Sequence, residues 1–143
     1  MVNRKLKGNS IMKKSTIVAT FISDVQKVWD VVTDNNNCSW RSDLSGIIIS
    51  SDSNNFTECT KDGFKTDFSI TLKKPYEQYE FDMKNKNMSG HWIGVFSQNG
   101  TGTRIEFTEE VEVNNPIMNL FVKFYLKKQQ EAYVNDLKRE LGE

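Results

Sequence analysis

The stretch TRIEFTEEVEVNNPIMNLFVKFYLKKQQEAYVNDLKREL, Thr103 to Leu141, changes its period in the middle. In the first part Ile105, Phe107, Glu109, Val111 and Val113 fall on every second position. That alternation is the mark of a strand with one face turned to an apolar core. Asn115 then supplies a helix cap, and Pro116 sits at the first helical position, where its missing N–H costs little. Beyond it Ile117, Met118, Leu120, Phe121, Phe124 and Tyr125 recur at helical spacing and predict a broad apolar face. Ala132, Tyr133, Leu137 and Leu141 continue it more sparsely. The helix should end near residue 140, a length of roughly 35 Å. An element that long must lie across a sheet.

Upstream, the same alternation repeats. Ser15 to Phe21 reads as a strand, with Ile17, Ala19 and Phe21 on one side. SDVQKVWDVV follows with Val25, Val28, Trp29 and Val32 at helical spacing, and with Ser23 and Gln26 placed as a capping box. Strand signals resume at Ile47 to Ile49. Asp62-Gly63 is a hairpin turn signal between two strands, the second carrying Phe64, Thr66, Phe68, Ile70 and Leu72 in phase. Tyr79, Phe81 and Met83 share the next strand face; Met88, Gly90, Trp92, Gly94 and Phe96 share the one after, which ends at the Asn99-Gly100 turn. The order is strand, helix, a short second element, six antiparallel strands and a long helix.

Composition sets the bounds. The chain has 143 residues, 37% hydrophobic and 27% charged, which fits one soluble domain with one core. Aromatic residues make up 11%, enough for a large core or for the lining of an apolar cavity. Net charge is zero, but Arg4, Lys5, Lys7, Lys13 and Lys14 hold five of the 19 basic side chains, leaving 14 against 19 acidic ones, a balance of −5. An acidic body argues against nucleic-acid binding. The basic start, residues 1–11, reads as a flexible tail ahead of a single domain over 12–143. Met12 offers an alternative start. No apolar run is long enough to span a membrane and no secretory signal is present, so the expected location is cytoplasmic. Cys38 and Cys59 then read as reduced thiols. With one histidine and two separated cysteines, no metal site is expected, and no motif calls for a cofactor.

The chain resembles the START-like superfamily, the polyketide cyclase/dehydrase-type proteins that share the helix-grip fold of the birch-pollen allergen. The likeness is carried by STIVATFISDVQKVWDVVTD, WRSDL, FTECTKDGFKTDFSI, GTGTRIEFTEEVEV and the closing helix, in that order, over nearly all of 12–142. It implies an α+β fold: a curved sheet of about seven antiparallel strands gripping the C-terminal helix, two short helices after the first strand, and an apolar cavity between sheet and helix. Members bind lipids, sterols, polyketides or hormones, and some are cyclases or dehydratases, so shared fold does not settle the function.

The cavity lining expected on this basis comprises Trp40, Phe64, Phe68, Tyr79, Phe81, Trp92, Phe96, Phe107, Glu109, Phe121 and Tyr125. Glu109 is in phase with apolar neighbours; it is either an acid, base or ligand anchor, or it pairs with a lysine or tyrosine of the last helix or sits at the rim. Glu58 has the same two readings. His91 falls out of phase with Trp92 and should face away from the cavity, which leaves no triad chemistry. Gly90 and Gly94 make room for the helix or for a ligand. In DNNNCSWRSDL, Asp34 to Leu44, Trp40 reads as an anchor that folds a polar turn back onto the core and closes one end of the cavity, while Arg41 and Asp43 hold each other or a helix end. Three functions follow: a carrier or sensor of a small apolar molecule, a cyclase- or dehydratase-type enzyme on such a molecule, or a protein-interaction module. Convergence of two titratable groups in the cavity would favour the enzyme. An exposed apolar patch on the outer sheet face would favour the interaction module.

Overall fold

The computed structural model describes residues 12–143. The basic tail expected over residues 1–11 lies outside the described residues. Seven strands form one antiparallel sheet: β1 (Lys13–Phe21), β2 (Leu44–Ile49), β3 (Asn55–Thr60), β4 (Lys65–Lys74), β5 (Gln78–Lys84), β6 (Met88–Asn99) and β7 (Gly102–Val113). Helix α1 (Val25–Thr33) follows β1, and helix α2 (Pro116–Glu140) closes the chain. The sheet order is β1-β7-β6-β5-β4-β3-β2: a meander from β2 to β7, with β1 returning beside β7. This curved sheet with its long helix is the α+β helix-grip arrangement.

The predicted alternation holds where register is regular. On β7, Ile105, Phe107 and Val111 are buried. On β4 the register slips between Ile70 and Leu72. That irregularity leaves Leu72 exposed, although its position continues the phase of Phe68.

Helix α2 starts as expected. The Asn115 side chain accepts from the N–H of Ile117 at 2.9 Å, with Pro116 in the first turn. Its inner row, Val122, Leu126, Gln130, Val134 and Leu137, is buried and packs on β1 and β7. Each fully buried leucine here contributes about 1.5–3 kcal/mol. Gln130 fixes the docking: it accepts from Ser15 Oγ at 2.8 Å and donates to the Ser15 carbonyl at 2.9 Å. Because α2 rests on the β1–β7 side, the inner faces of β3 to β6 are not filled by it.

Two local expectations are corrected. The cap of α1 is Asp24, whose carboxylate accepts from Lys27 N–H at 2.9 Å. Ser23 cannot serve, because its N–H and hydroxyl both donate to the Glu143 carboxylate, at 3.0 and 2.8 Å. The second short helix is absent; residues 34–43 form successive turns. Polar side chains compete with the helical backbone there: Asp34 accepts from Asn36 N–H and Asn37 accepts from Ser39 N–H. No helix among the described residues is long and apolar enough to cross a membrane. Cys38 and Cys59 are free thiols.

Candidate functional site

The gap between α2 and the inner faces of the middle strands is a cavity of about 260 Å³. Cross-strand register builds its floor. Phe56 pairs with Phe68, and Phe81 with Trp92. Both pairs stack, with ring centroids 4.8 Å apart. Phe68 meets Phe81 edge-on at 5.1 Å, and Trp92 meets Phe107 at 4.7 Å. The aromatic band crosses to the helix at Tyr133, 5.9 Å from Phe107, and ends on Trp40, 5.2 Å from Tyr133. Gly94 supports this band: a Cβ there would come within 2.4 Å of the Trp92 ring. The space opposite this glycine is therefore taken by the indole two residues earlier, not by the helix or a ligand.

Of the eleven residues expected to line the cavity, Phe64, Phe68, Tyr79, Phe81, Trp92, Phe107, Glu109 and Tyr125 do line it. Trp40 is buried behind Tyr133. Phe96 packs on Trp29 of α1 at 5.0 Å. Phe121 lies on the outer side of α2, 63% exposed. The helix carries apolar residues on both its sides in this region, so spacing alone could not choose between them.

The cavity also has a polar pole, which a purely apolar site would lack. Arg41 reaches into it from the turns after α1. Its guanidinium pairs with Asp43 (Nε to Oδ1 and Nη2 to Oδ2, both 3.1 Å) and with Glu58 of β3 (Nη1 to Oε2, 3.3 Å). It also lies 4.9 Å from the centre of the Tyr133 ring. Burial works against this charge, but Glu58 and the neighbours around it hold Arg41 firmly protonated. For Glu58, burial wins over the attraction of Arg41 and raises its pKa. The expectation that Arg41 and Asp43 hold each other is met, and Glu58 joins them. Glu58 is 17 residues from Arg41 in sequence and reaches it only through the β2–β3 hairpin, so no local signal marks the pair.

Glu109 sits opposite Trp92 in the register of β6 and β7. It finds no hydrogen bond or ion pair among the described residues, so the pairing with a lysine or tyrosine of α2 is not made. Burial, reinforced by the nearby Glu58 carboxylate, pushes its pKa up to about 7, with Arg41 opposing. The buried Tyr79 hydroxyl has no partner in good hydrogen-bonding geometry among the described residues; burial raises its pKa, and the nearby Asn35 side chain, which favours the ionised form, only partly offsets this. Burial likewise raises Tyr133, a residue with no cue in the sequence beyond helical phase. One cavity thus holds an aromatic wall, a fixed cation, and a carboxyl and a phenol whose hydrogen-bonding capacity is unspent.

The segment that carries Arg41 is clipped to α2. Ser42 donates from N–H and Oγ to Asp136, both at 2.8 Å, and Arg139 donates to the Trp40 carbonyl at 3.3 Å. His91 is on the opposite sheet face, as expected, between Asp82 (2.6 Å) and Glu80 (2.8 Å). No group of metal-ligating side chains occurs among the described residues.

No family model matches the chain, and no curated protein matches it in sequence. Solved structures do match. A START superfamily protein from Mycobacterium smegmatis aligns with a TM-score of 0.75 at 13% identity, over 90% of this chain and 95% of its own. An uncharacterised protein from Bacillus thuringiensis aligns at 0.76 and 9% identity, over 92% of this chain and 100% of its own. A protein of the dynemicin biosynthetic locus aligns at 0.70 and 16% identity, over 90% of this chain and 47% of its own. At these identities the likeness is one of fold, and the fold is START-like.

Proposed function

We propose that the protein binds a small amphipathic molecule in the cavity between sheet and α2, its apolar body against the aromatic band and a polar group toward Glu109 and Tyr79. One observation carries this reading: the Tyr79 hydroxyl is buried at the cavity wall with no partner in good hydrogen-bonding geometry among the described residues. A buried hydroxyl left unpaired costs about 1–3 kcal/mol, and a ligand group that bonds to it recovers that cost. Glu109, half-buried on the same wall and without a hydrogen-bond partner among the described residues, adds a carboxyl that a ligand can meet. The START and biosynthetic-locus neighbours are compatible with a ligand-binding role. A fully apolar ligand would leave both polar groups unmet.

Native mass spectrometry of the protein purified from its own host tests this. A bound small molecule is expected, with occupancy at least several-fold lower in Tyr79→Phe and Glu109→Gln. Protein that carries no adduct under conditions that preserve non-covalent complexes, and takes none up from host extract, sinks the reading.

A second reading is favoured by the Glu109 carboxyl on the cavity wall, whose pKa burial pushes up to about 7. A carboxyl poised at the working pH can take and return a proton, the requirement for cyclase- or dehydratase-type chemistry. Glu109→Gln protein that retains the ligand but no longer converts it would support the enzyme; conversion by that variant would exclude Glu109 as its base.

A further inference from the structure

The first three turns of α2 are apolar on two sides. Val122 and Leu126 face inward. On the outer side Ile117, Leu120, Phe121 and Phe124 stand 63–78% exposed, at the i, i+3, i+4, i+7 spacing of one helical stripe. Tyr125, 58% exposed, joins the stripe to the cavity, which it also lines. Other exposed apolar side chains, such as Val18, Ile48 and Val95 on the sheet, are spread over separate strands and need no explanation. A contiguous aromatic and aliphatic stripe does.

The charges beside it select the occupant. From Pro116 to Gln130 the helix carries no acidic residue and three lysines: Lys123 and Lys128, and Lys127, whose ammonium donates to the Thr16 carbonyl of β1 at 2.6 Å. Lys128 lies over the Phe124 ring at 5.1 Å. Across the cavity mouth, Lys65 and Lys86 gather around Phe64, with Asp62 the single carboxylate among them. The chain outside residues 1–14 is acidic by five charges, so this end is a local basic exception. A second copy docked on the stripe would set lysines against lysines. An anionic lipid surface meets both features at once, taking the aromatic stripe into the headgroup boundary and the lysines at the phosphate level.

We propose that the outer stripe of α2, Ile117 to Phe124, docks the protein on an anionic lipid bilayer with the cavity mouth at the membrane surface. The stripe lies outside the core and uses none of the cavity's polar groups, so the inference stands independently of what the cavity holds.

The test is flotation with phosphatidylcholine vesicles, with and without phosphatidylserine. Wild-type protein is expected to float with the phosphatidylserine vesicles and to be released by high salt. Phe121→Ser/Phe124→Ser is expected to stay in solution with an unchanged melting temperature, since neither ring is buried. Lys123→Glu/Lys128→Glu, which leaves every ring in place, is expected to weaken binding by at least about fivefold per position. Failure of the wild type to float, equal flotation with and without phosphatidylserine, or equal flotation of the serine variant overturns the proposal. So does a wild-type dimer that the serine variant dissociates, which would assign the stripe to a second copy.

Discussion

Two clusters in this protein place carboxylates around a cation, on opposite faces of one sheet. On the outer face His91 stands between Glu80 and Asp82, one carboxylate to each ring nitrogen. On the inner face Arg41 holds Asp43 and Glu58, while Glu109 is left over. The outer cluster is partly solvated, with Asp82 62%, His91 31% and Glu80 20% exposed, and each of its carboxylates has a partner in the imidazole. The inner cluster is costly: Arg41 and Glu58 side chains are only 14% and 17% exposed, and the third carboxyl has no cation of its own. Folding alone gives no reason to keep an unpaired acid there, since an apolar residue of similar size would be cheaper. That cost is the physical argument for a role in binding or chemistry.

Arg41→Met should destabilise the protein by about 3–5 kcal/mol at neutral pH, because it leaves Glu58 buried and uncompensated. The double variant Arg41→Met/Glu58→Gln should recover most of the loss. Urea unfolding measures both. A single variant no less stable than the wild type would mean that water, not Arg41, solvates Glu58. Glu109→Gln should move the other way. Its carboxyl has a folded pKa of about 7 against an ordinary 4.5, so the folded state holds the proton more tightly. The stability it contributes is complete below about pH 4.5 and is lost as pH rises through about 7. The glutamine variant should therefore match the wild type at pH 4 and exceed it by on the order of 2–3 kcal/mol at pH 8. Equal stability at pH 8 would show that Glu109 is hydrated and its charge unpenalised.

The sequence disclosed these two faces unequally. Strand alternation placed His91 outward and Glu109 inward, because a period of two fixes the face wherever register is unbroken. It could not disclose partners. Glu58 and Arg41 meet only after the chain folds back through β2 and β3. The same limit governs α2, where Asn115 and Pro116 marked the start correctly. Phe121 and Tyr133 then fit one pattern of helical spacing equally well. Only the docking of Gln130 on Ser15 turns Tyr133 to the cavity and Phe121 to solvent. The missing second helix was a matter of local chemistry. The Asn and Asp side chains of residues 34–37 satisfy backbone groups that a helix would need.

The smallest expected effect is on the outer cluster, and it tests whether that cluster is as inconsequential as its exposure implies. Burial disfavours the His91 charge, but its hydrogen bonds to Glu80 and Asp82 outweigh it and raise the pKa. Both ring nitrogens face carboxylates, so the geometry is complete only when both carry protons. The stability this provides is fully present below the ordinary histidine value near 6.5 and is lost as pH rises through the raised folded value. Asp82 is 62% exposed, so solvent screens the pair. His91→Gln should accordingly cost only a few tenths of a kcal/mol at pH 5.5, nothing at pH 9, and still less in high salt. Thermal melts across that range decide it. A loss of several kcal/mol would place the outer cluster beside the inner one in energy, and the contrast that points to the cavity would no longer distinguish them.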